Sequence, residues 1–234
     1  MNDRARKVDG VLFDKDGTLF DFHTTWSSWG GDLIDDLSQG DARLRARLAR
    51  EMHYDLDARR FLPTSPIVAG TNREAAECVA RALPDRPVEA LELYLMQTSA
   101  TAPQAETVPL AAFLGALSAE GLALGVVTND TEHGARAHLG TAGVTAFFDF
   151  IAGFDSGHGA KPAPGPCLAF ARAVGLDPSR IAMVGDSTHD LIAGRAAGMQ
   201  TVAVLTGTAL AADLAPLADV VLPDIGHIPA WILR

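Results

Sequence analysis

The chain has 234 residues, a formal net charge of −10 and 48% hydrophobic residues, enough apolar material for a sizeable buried core. The acidic balance argues against nucleic acid or an anionic membrane surface as partner, and no apolar run reaches membrane-spanning length. Two cysteines far apart in sequence, Cys78 and Cys167, exclude a disulfide framework or a zinc site and read as buried, reduced thiols. Met1 to Lys7 carries basic residues but runs into the first apolar segment without a cleavage-like stretch, so a cytoplasmic location is the default expectation.

Val11-Leu12-Phe13 reads as a short buried strand ended by a turn at Gly17. Two carboxylates, Asp14 and Asp16, stand at its C-terminal end. Residues two apart in an extended segment project to the same side, so these like charges call for something positive beside or between them. A divalent cation is the obvious candidate, and oxygen-only ligands suit Mg²⁺. From Phe22 to about Gln97 no convincing period of two occurs. Instead Leu33, Ile34, Leu37 and then Leu44, Leu48, Met52 recur at helical spacing, followed by helical stretches over 73–83 and 88–95. Pro63, Pro66, Gly70, Pro84 and Pro87 punctuate the turns. The expectation is an all-helical insert of roughly 80 residues, within the size range of a small domain, with 98–107 as the return linker.

From Pro109 the chain alternates regularly. Helices are expected over 110–120, 132–139, 166–174 and 190–197, and apolar strands over 122–127, 150–152, 181–184, 201–205 and 220–222. Near-continuous apolar strands separated by helices imply a parallel sheet covered on both faces, in which ligands gather at the C-terminal strand ends. The polar residues fall there. The strand 122–127 leads into Thr128-Asn129-Asp130, and 181–184 into Gly185-Asp186-Ser187-Thr188-His189-Asp190, with Lys161 in a Pro-rich segment between them. Carboxylates, one lysine, a hydroxyl and an amide make chemical sense around a cation and an anionic substrate.

Asp-x-Asp-Gly-Thr-Leu, Thr-Asn, Lys-Pro-x-Pro-x-Pro and Gly-Asp-Ser-x-x-Asp, in this order, resemble the four motifs of the haloacid-dehalogenase-like hydrolase superfamily. The pattern is most similar to its phosphoglycolate-phosphatase-like branch, which inserts a helical cap directly after the first motif. The resemblance implies a Rossmann-like α/β core over 1–20 and 105–234, a helical cap over 21–104, and Mg²⁺-dependent hydrolysis of a small phosphate ester, 2-phosphoglycolate being the first candidate. It implies Asp14 as the nucleophile that forms an aspartyl-phosphate and Asp16 as the general acid and base. Thr128, assisted by Asn129, would bind the phosphoryl group. Lys161 would balance its charge, and backbone N–H groups around Lys15 to Gly17 would cradle it. Asp14, the carbonyl of Asp16, Asp186 and Asp190 would hold the metal. The same branch contains β-phosphoglucomutase-like phosphomutases. A carbon-attacking dehalogenase would need no metal, and a non-catalytic phosphate sensor would usually have lost Asp14 or Asp16.

Several residues keep two readings. Asp190 also suits the first turn of the following helix, Asn129 a local turn, and His189 a solvent-facing linker. Lys15, where many relatives carry an apolar residue, faces the leaving group or pairs with a neighbouring acid. Phe22, His23, Trp26 and Trp29 line the substrate entrance or pack the hinge. The arginines at 43, 45, 47 and 50, with Arg59 and Arg60, read better as a solvated face than as a substrate site. The chain is expected to be a monomer or a homodimer.

Overall fold

The computed structural model describes residues 6–62, 64–68 and 70–233; Pro63, one of the expected turn residues, and the start of the basic N-terminal segment, 1–5, lie outside them. The first apolar run forms strand β1 (Gly10–Phe13), buried at every position. A π-helical turn at His23–Ser27 follows, then helices α1 (Ser28–Ser38) and α2 (Ala42–Glu51), short strands β2 (Tyr54–Asp55) and β3 (Arg60–Phe61), and helices α3 (Asn72–Ala80) and α4 (Val88–Ser99). Alternation then begins with α5 (Leu110–Ala119), β4 (Ala123–Val127), α6 (Glu132–Thr141), β5 (Phe150–Ala152) and α7 (Gly165–Val174). It ends with β6 (Ile181–Gly185), α8 (Thr188–Ala196), β7 (Gln200–Val204), α9 (Ala211–Leu214), β8 (Val220–Leu222) and α10 (Ile228–Ile232).

Six strands form one sheet in the order β5-β4-β1-β6-β7-β8, and every pairing is parallel. β1 lies in its interior between β4 and β6, which explains why it reads as a continuous apolar run rather than an alternation. Its side chains divide between two cores. Val11 and Phe13 pack with Leu114 of α5, Leu139 of α6 and Trp231 of α10, while Leu12 packs with Phe170 of α7 and Ala193 of α8. Helices therefore cover both faces, the expected Rossmann-like α/β arrangement. Gly125 lets α7 approach closely, since a Cβ there would meet the Phe170 ring at 2.7 Å.

The helical segment between β1 and α5 has a core of its own, built from residues such as Trp29, Ile34, Leu48, Phe61, Val79 and Leu95. It is not entirely helical. Tyr54 and Asp55 pair antiparallel with Phe61 and Arg60, a ladder too short to show a period of two in sequence. The basic residues of α2 and its surroundings are solvated and paired locally: Arg45 with Asp35, Arg59 with Asp32. The chain enters and leaves this segment side by side. Asp21 N–H donates to the Ala105 carbonyl at 2.8 Å, and Thr107 N–H to Leu19 at 3.0 Å. Among the described residues no helix is long and apolar enough to cross a membrane.

Candidate active site

The C-terminal ends of β1, β4 and β6 bring the expected polar residues to one edge of the sheet. Asp14 N–H continues the β1–β6 ladder by donating to the Val184 carbonyl at 2.8 Å, which fixes where its carboxylate starts. Lys161 reaches this edge from the loop before α7. Its ammonium donates to Asp14 Oδ1 and Asp190 Oδ1, both at 2.6 Å, and to the Val127 carbonyl at 2.9 Å, so each of its three protons has an acceptor. Asn129 holds the Lys161 backbone from both sides. Its Oδ1 accepts the Lys161 N–H at 2.9 Å and its Nδ2 donates to the Lys161 carbonyl at 2.8 Å.

Asp190 has the first-turn place expected of a helix start. It stands in the first turn of α8, where Oδ2 accepts from the N–H and hydroxyl of Ser187 in a reciprocal cap, while Oδ1 takes Lys161. Asp186 follows β6 and is nearly inaccessible. It lies against two glycines: a Cβ on Gly17 or on Gly207 would overlap its carboxylate. Gly17 also adopts φ +79°, which side chains rarely allow. Its N–H donates to the Phe20 carbonyl at 2.7 Å, and the lack of a side chain at Gly17 makes room for Asp186.

Oxygens of Asp14, Asp186 and Asp190 lie within 4.8 Å of one another. Three buried carboxylates with one ammonium leave an excess of negative charge largely withdrawn from water. Burial pushes the Asp14 carboxyl up to about 7, with Lys161 pulling down against Asp190 and Asp16. Burial likewise raises Asp186 well above its ordinary value, reinforced by Asp14 and Asp190. Burial works against the Lys161 charge, but Asp14 and Asp190 outweigh it and raise its pKa. An all-oxygen cluster with surplus negative charge fits a hard divalent cation.

The side chain of Asp16 stands outside that cluster. Lys15 pairs with it at 3.0 Å and with Asp130 at the same distance, so of the two readings of Lys15 the pairing with acids holds. The two aspartates of the first motif thus each have their own lysine, Lys161 for Asp14 and Lys15 for Asp16. Thr128 accepts the Asp130 N–H at 3.0 Å and keeps its own hydroxyl proton to donate.

Asp14, Asp16, Thr128, Asn129 and Lys161 face a cavity of about 80 Å³, closed from the other side by the helical segment. Phe22, Trp26 and Trp29 line it there, and the same rings pack in the core of that segment. His23 is exposed. His189 departs from the linker reading: it sits in the first turn of α8, half-buried, and lines the cavity. Sequence reasoning assigned no part to Asp130, His138 or Gly207. Only Asp130 carried a signal, its place directly after Thr128-Asn129 at a strand end.

Comparison with known proteins gives a consistent result. Residues 8–198 match the family model described as haloacid dehalogenase-like hydrolase. A phosphoglycolate phosphatase of Neisseria meningitidis is 32% identical over 237 residues, covering 98% of this chain and 94% of its own length. The Escherichia coli phosphoglycolate phosphatase is 37% identical over 94 residues, 40% of this chain and 37% of that protein. Among solved structures, CbbY of Rhodobacter sphaeroides in complex with phosphate superposes with a TM-score of 0.70 at 19% identity, over 96% of this chain and 99% of that one. A HAD phosphatase from Thermococcus onnurineus superposes with a TM-score of 0.68 at 22% identity, over 95% and 96%. At these identities the two structures bear on the fold.

Proposed function

Because the chain belongs to the haloacid dehalogenase-like hydrolases, we propose that it is a phosphatase that hydrolyses a small phosphate monoester through an aspartyl-phosphate on Asp14. The observation that supports this reading is the bridge from Lys161 to Asp14 and Asp190 beside Asp186, which brings a carboxylate suited to nucleophilic attack, a cation and carboxylates able to hold a metal to one point. Asp14, Asp186, the carbonyl of Asp16 and Asp190, directly or through water, would hold Mg²⁺, which supplies charge neutralisation for the phosphoryl group.

A carboxylate oxygen of Asp14 attacks phosphorus while the bond to the ester oxygen breaks, and Asp16 gives that oxygen a proton. Asp16 then takes a proton from a water whose oxygen attacks phosphorus. The bond to Asp14 breaks, inorganic phosphate forms and the carboxylate returns. Lys161 orients Asp14 and offsets the charge that would repel a phosphate dianion, and Thr128 donates to a phosphoryl oxygen. Positioning and electrostatics dominate in this chemistry. We read 21–104 as a cap and 1–20 with 105–234 as the catalytic core; the cap side of the cavity would keep bulk water out, leaving the one water that Asp16 deprotonates to attack the phosphorylated aspartate.

We take 2-phosphoglycolate as the first candidate substrate. The Neisseria relative carries the name of that activity. The first turn of α3, at Thr71 and Asn72, lines the cavity on the side where the leaving group would sit. The test is phosphate release from a panel of small esters, with Mg²⁺ and with excess chelator. Release is expected to require the metal and to fall by about 10³-fold or more in Asp14→Asn. Undiminished release in Asp14→Asn would overturn the covalent reading. Transfer of phosphate to a second sugar position without release would replace hydrolysis by mutase chemistry.

A further inference from the structure

Lys15 lies between Asp14 and Asp16 in sequence, yet it has no accessible surface and does not line the cavity. Its ammonium lies 3.1 and 3.0 Å from the two carboxylate oxygens of Asp16, 3.0 Å from Asp130 Oδ2 and 2.7 Å from His138 Nδ1. A buried ammonium is costly unless every side of it is paired, and here it is. The histidine settles a tautomer. His138 Nε2 lies 2.9 Å from the Ser99 carbonyl, which can only accept. The ring proton is therefore on Nε2, and Nδ1 offers its lone pair to Lys15.

Each partner comes from a different place. Asp130 follows β4 and His138 belongs to α6, and Ser99, which holds His138, ends α4 of the helical segment. Trp26, also from that segment, sets its ring 5.6 Å from the Lys15 ammonium and 6.2 Å from the His138 ring. Three elements thus fix the ammonium, and the ammonium touches both oxygens of Asp16. A cation gripping both oxygens sets the plane of a carboxylate that a single-bond rotation would otherwise leave free.

We propose that Lys15 is a positioning residue for the general acid: held by Asp130 and His138, it fixes Asp16 in the orientation from which the leaving oxygen receives its proton. The proposal rests on the reading above that Asp16 handles that proton. A general acid works only within about 2.6–3.2 Å of its target. A displacement of about 1 Å costs on the order of 10²-fold in rate.

The experiment measures kcat/KM for a series of phosphate monoesters, from p-nitrophenyl phosphate to simple alkyl phosphates, in the full chain with Mg²⁺. The variants are Lys15→Met, Asp16→Asn and Asp14→Asn. In Lys15→Met the alkyl esters are expected to lose about 100-fold and p-nitrophenyl phosphate less than about threefold, because p-nitrophenolate departs without a proton. A purely structural lysine would lower every ester by the same factor, and that result, or no loss at all, overturns the proposal. Because Met leaves Asp130 buried without its cation, the double variant Lys15→Met/Asp130→Asn repeats the series without an orphaned carboxylate. If Asp16→Asn shows the alkyl-selective loss and the lysine variants do not, the positioning role fails alone. If Asp16→Asn shows no selectivity, the role of Asp16 falls and this inference with it. Activity surviving in Asp14→Asn points instead to failure of the covalent reading.

Discussion

Lys161 is held at both ends, and the two ends can be separated by mutation. Its ammonium is anchored by Asp14, Asp190 and the Val127 carbonyl, its backbone by the amide of Asn129. Asn129→Ala removes both backbone bonds and leaves a buried N–H and carbonyl without that partner. The expected outcome is a loss of about 1–3 kcal/mol in stability by chemical denaturation. A fall of about 10²-fold in kcat/KM by steady-state kinetics should accompany it as Lys161 shifts from Asp14. Unchanged kinetics would remove Asn129 from the site. At this scale the sequence is readable where chemistry sits at a strand end. Asp14, Asp16, Lys161 and Asp186 were legible because turn chemistry and order along the chain mark them. His138 was not legible: its contact to Lys15 spans 123 residues, and one histidine in a helix carries no spacing signal. Gly207 was silent for another reason, since its contribution is the absence of a side chain beside Asp186.

Among the elements, the sheet strands were the easiest to read. Burial on both faces requires unbroken apolar runs in β4, β6 and β7, and the boundaries of these strands and of the edge strands β5 and β8 fall within a residue of expectation. The ladder of β2 and β3 was not legible because two residues cannot display a period, yet it matters for packing. Phe61 is buried against Tyr54 at a ring separation of 5.1 Å and against Phe22 at 6.5 Å, and Gly30 lacks the Cβ that would strike the ring. Phe61→Ala is expected to cost about 3–5 kcal/mol locally. Because this core is distinct from those flanking the sheet, the loss should appear as faster hydrogen exchange within 22–102. The amides of β1, β4 and β6 should stay protected. Uniform loss of protection across both regions would show instead that the two unfold as one unit.

At the scale of the whole molecule, the surplus of buried negative charge makes stability depend on pH and on cations. Asp14 titrates at about 7 instead of the ordinary 3.8, and Asp186 is raised as well, because burial and mutual repulsion disfavour their charged forms. The folded chain therefore binds more protons than the unfolded chain between about pH 4 and pH 7, and these groups make the metal-free protein less stable as pH rises through that window. Mg²⁺ at about 100 times its Kd should stabilise the fold by about 2.7 kcal/mol at pH 7.5. That corresponds to a rise in Tm of roughly 5–10 °C, measurable by calorimetry. The rise should shrink at pH 5, where protons compete for the same oxygens, and vanish in Asp186→Asn; a rise indifferent to pH and to Asp186 would place the cation elsewhere. The crossing between sheet and helical segment carries a consequence of a different kind. Where the chain departs and where it returns, Phe20 bridges Glu106 and Asp21 N–H meets the Ala105 carbonyl at 2.8 Å. The two junctions pair like the base of a hairpin, with more than eighty residues in the place of its tip. If the helical segment contacts the leaving group as proposed, this seam is a graft point, where another module could be set on the same base while the strand ends stay as they are.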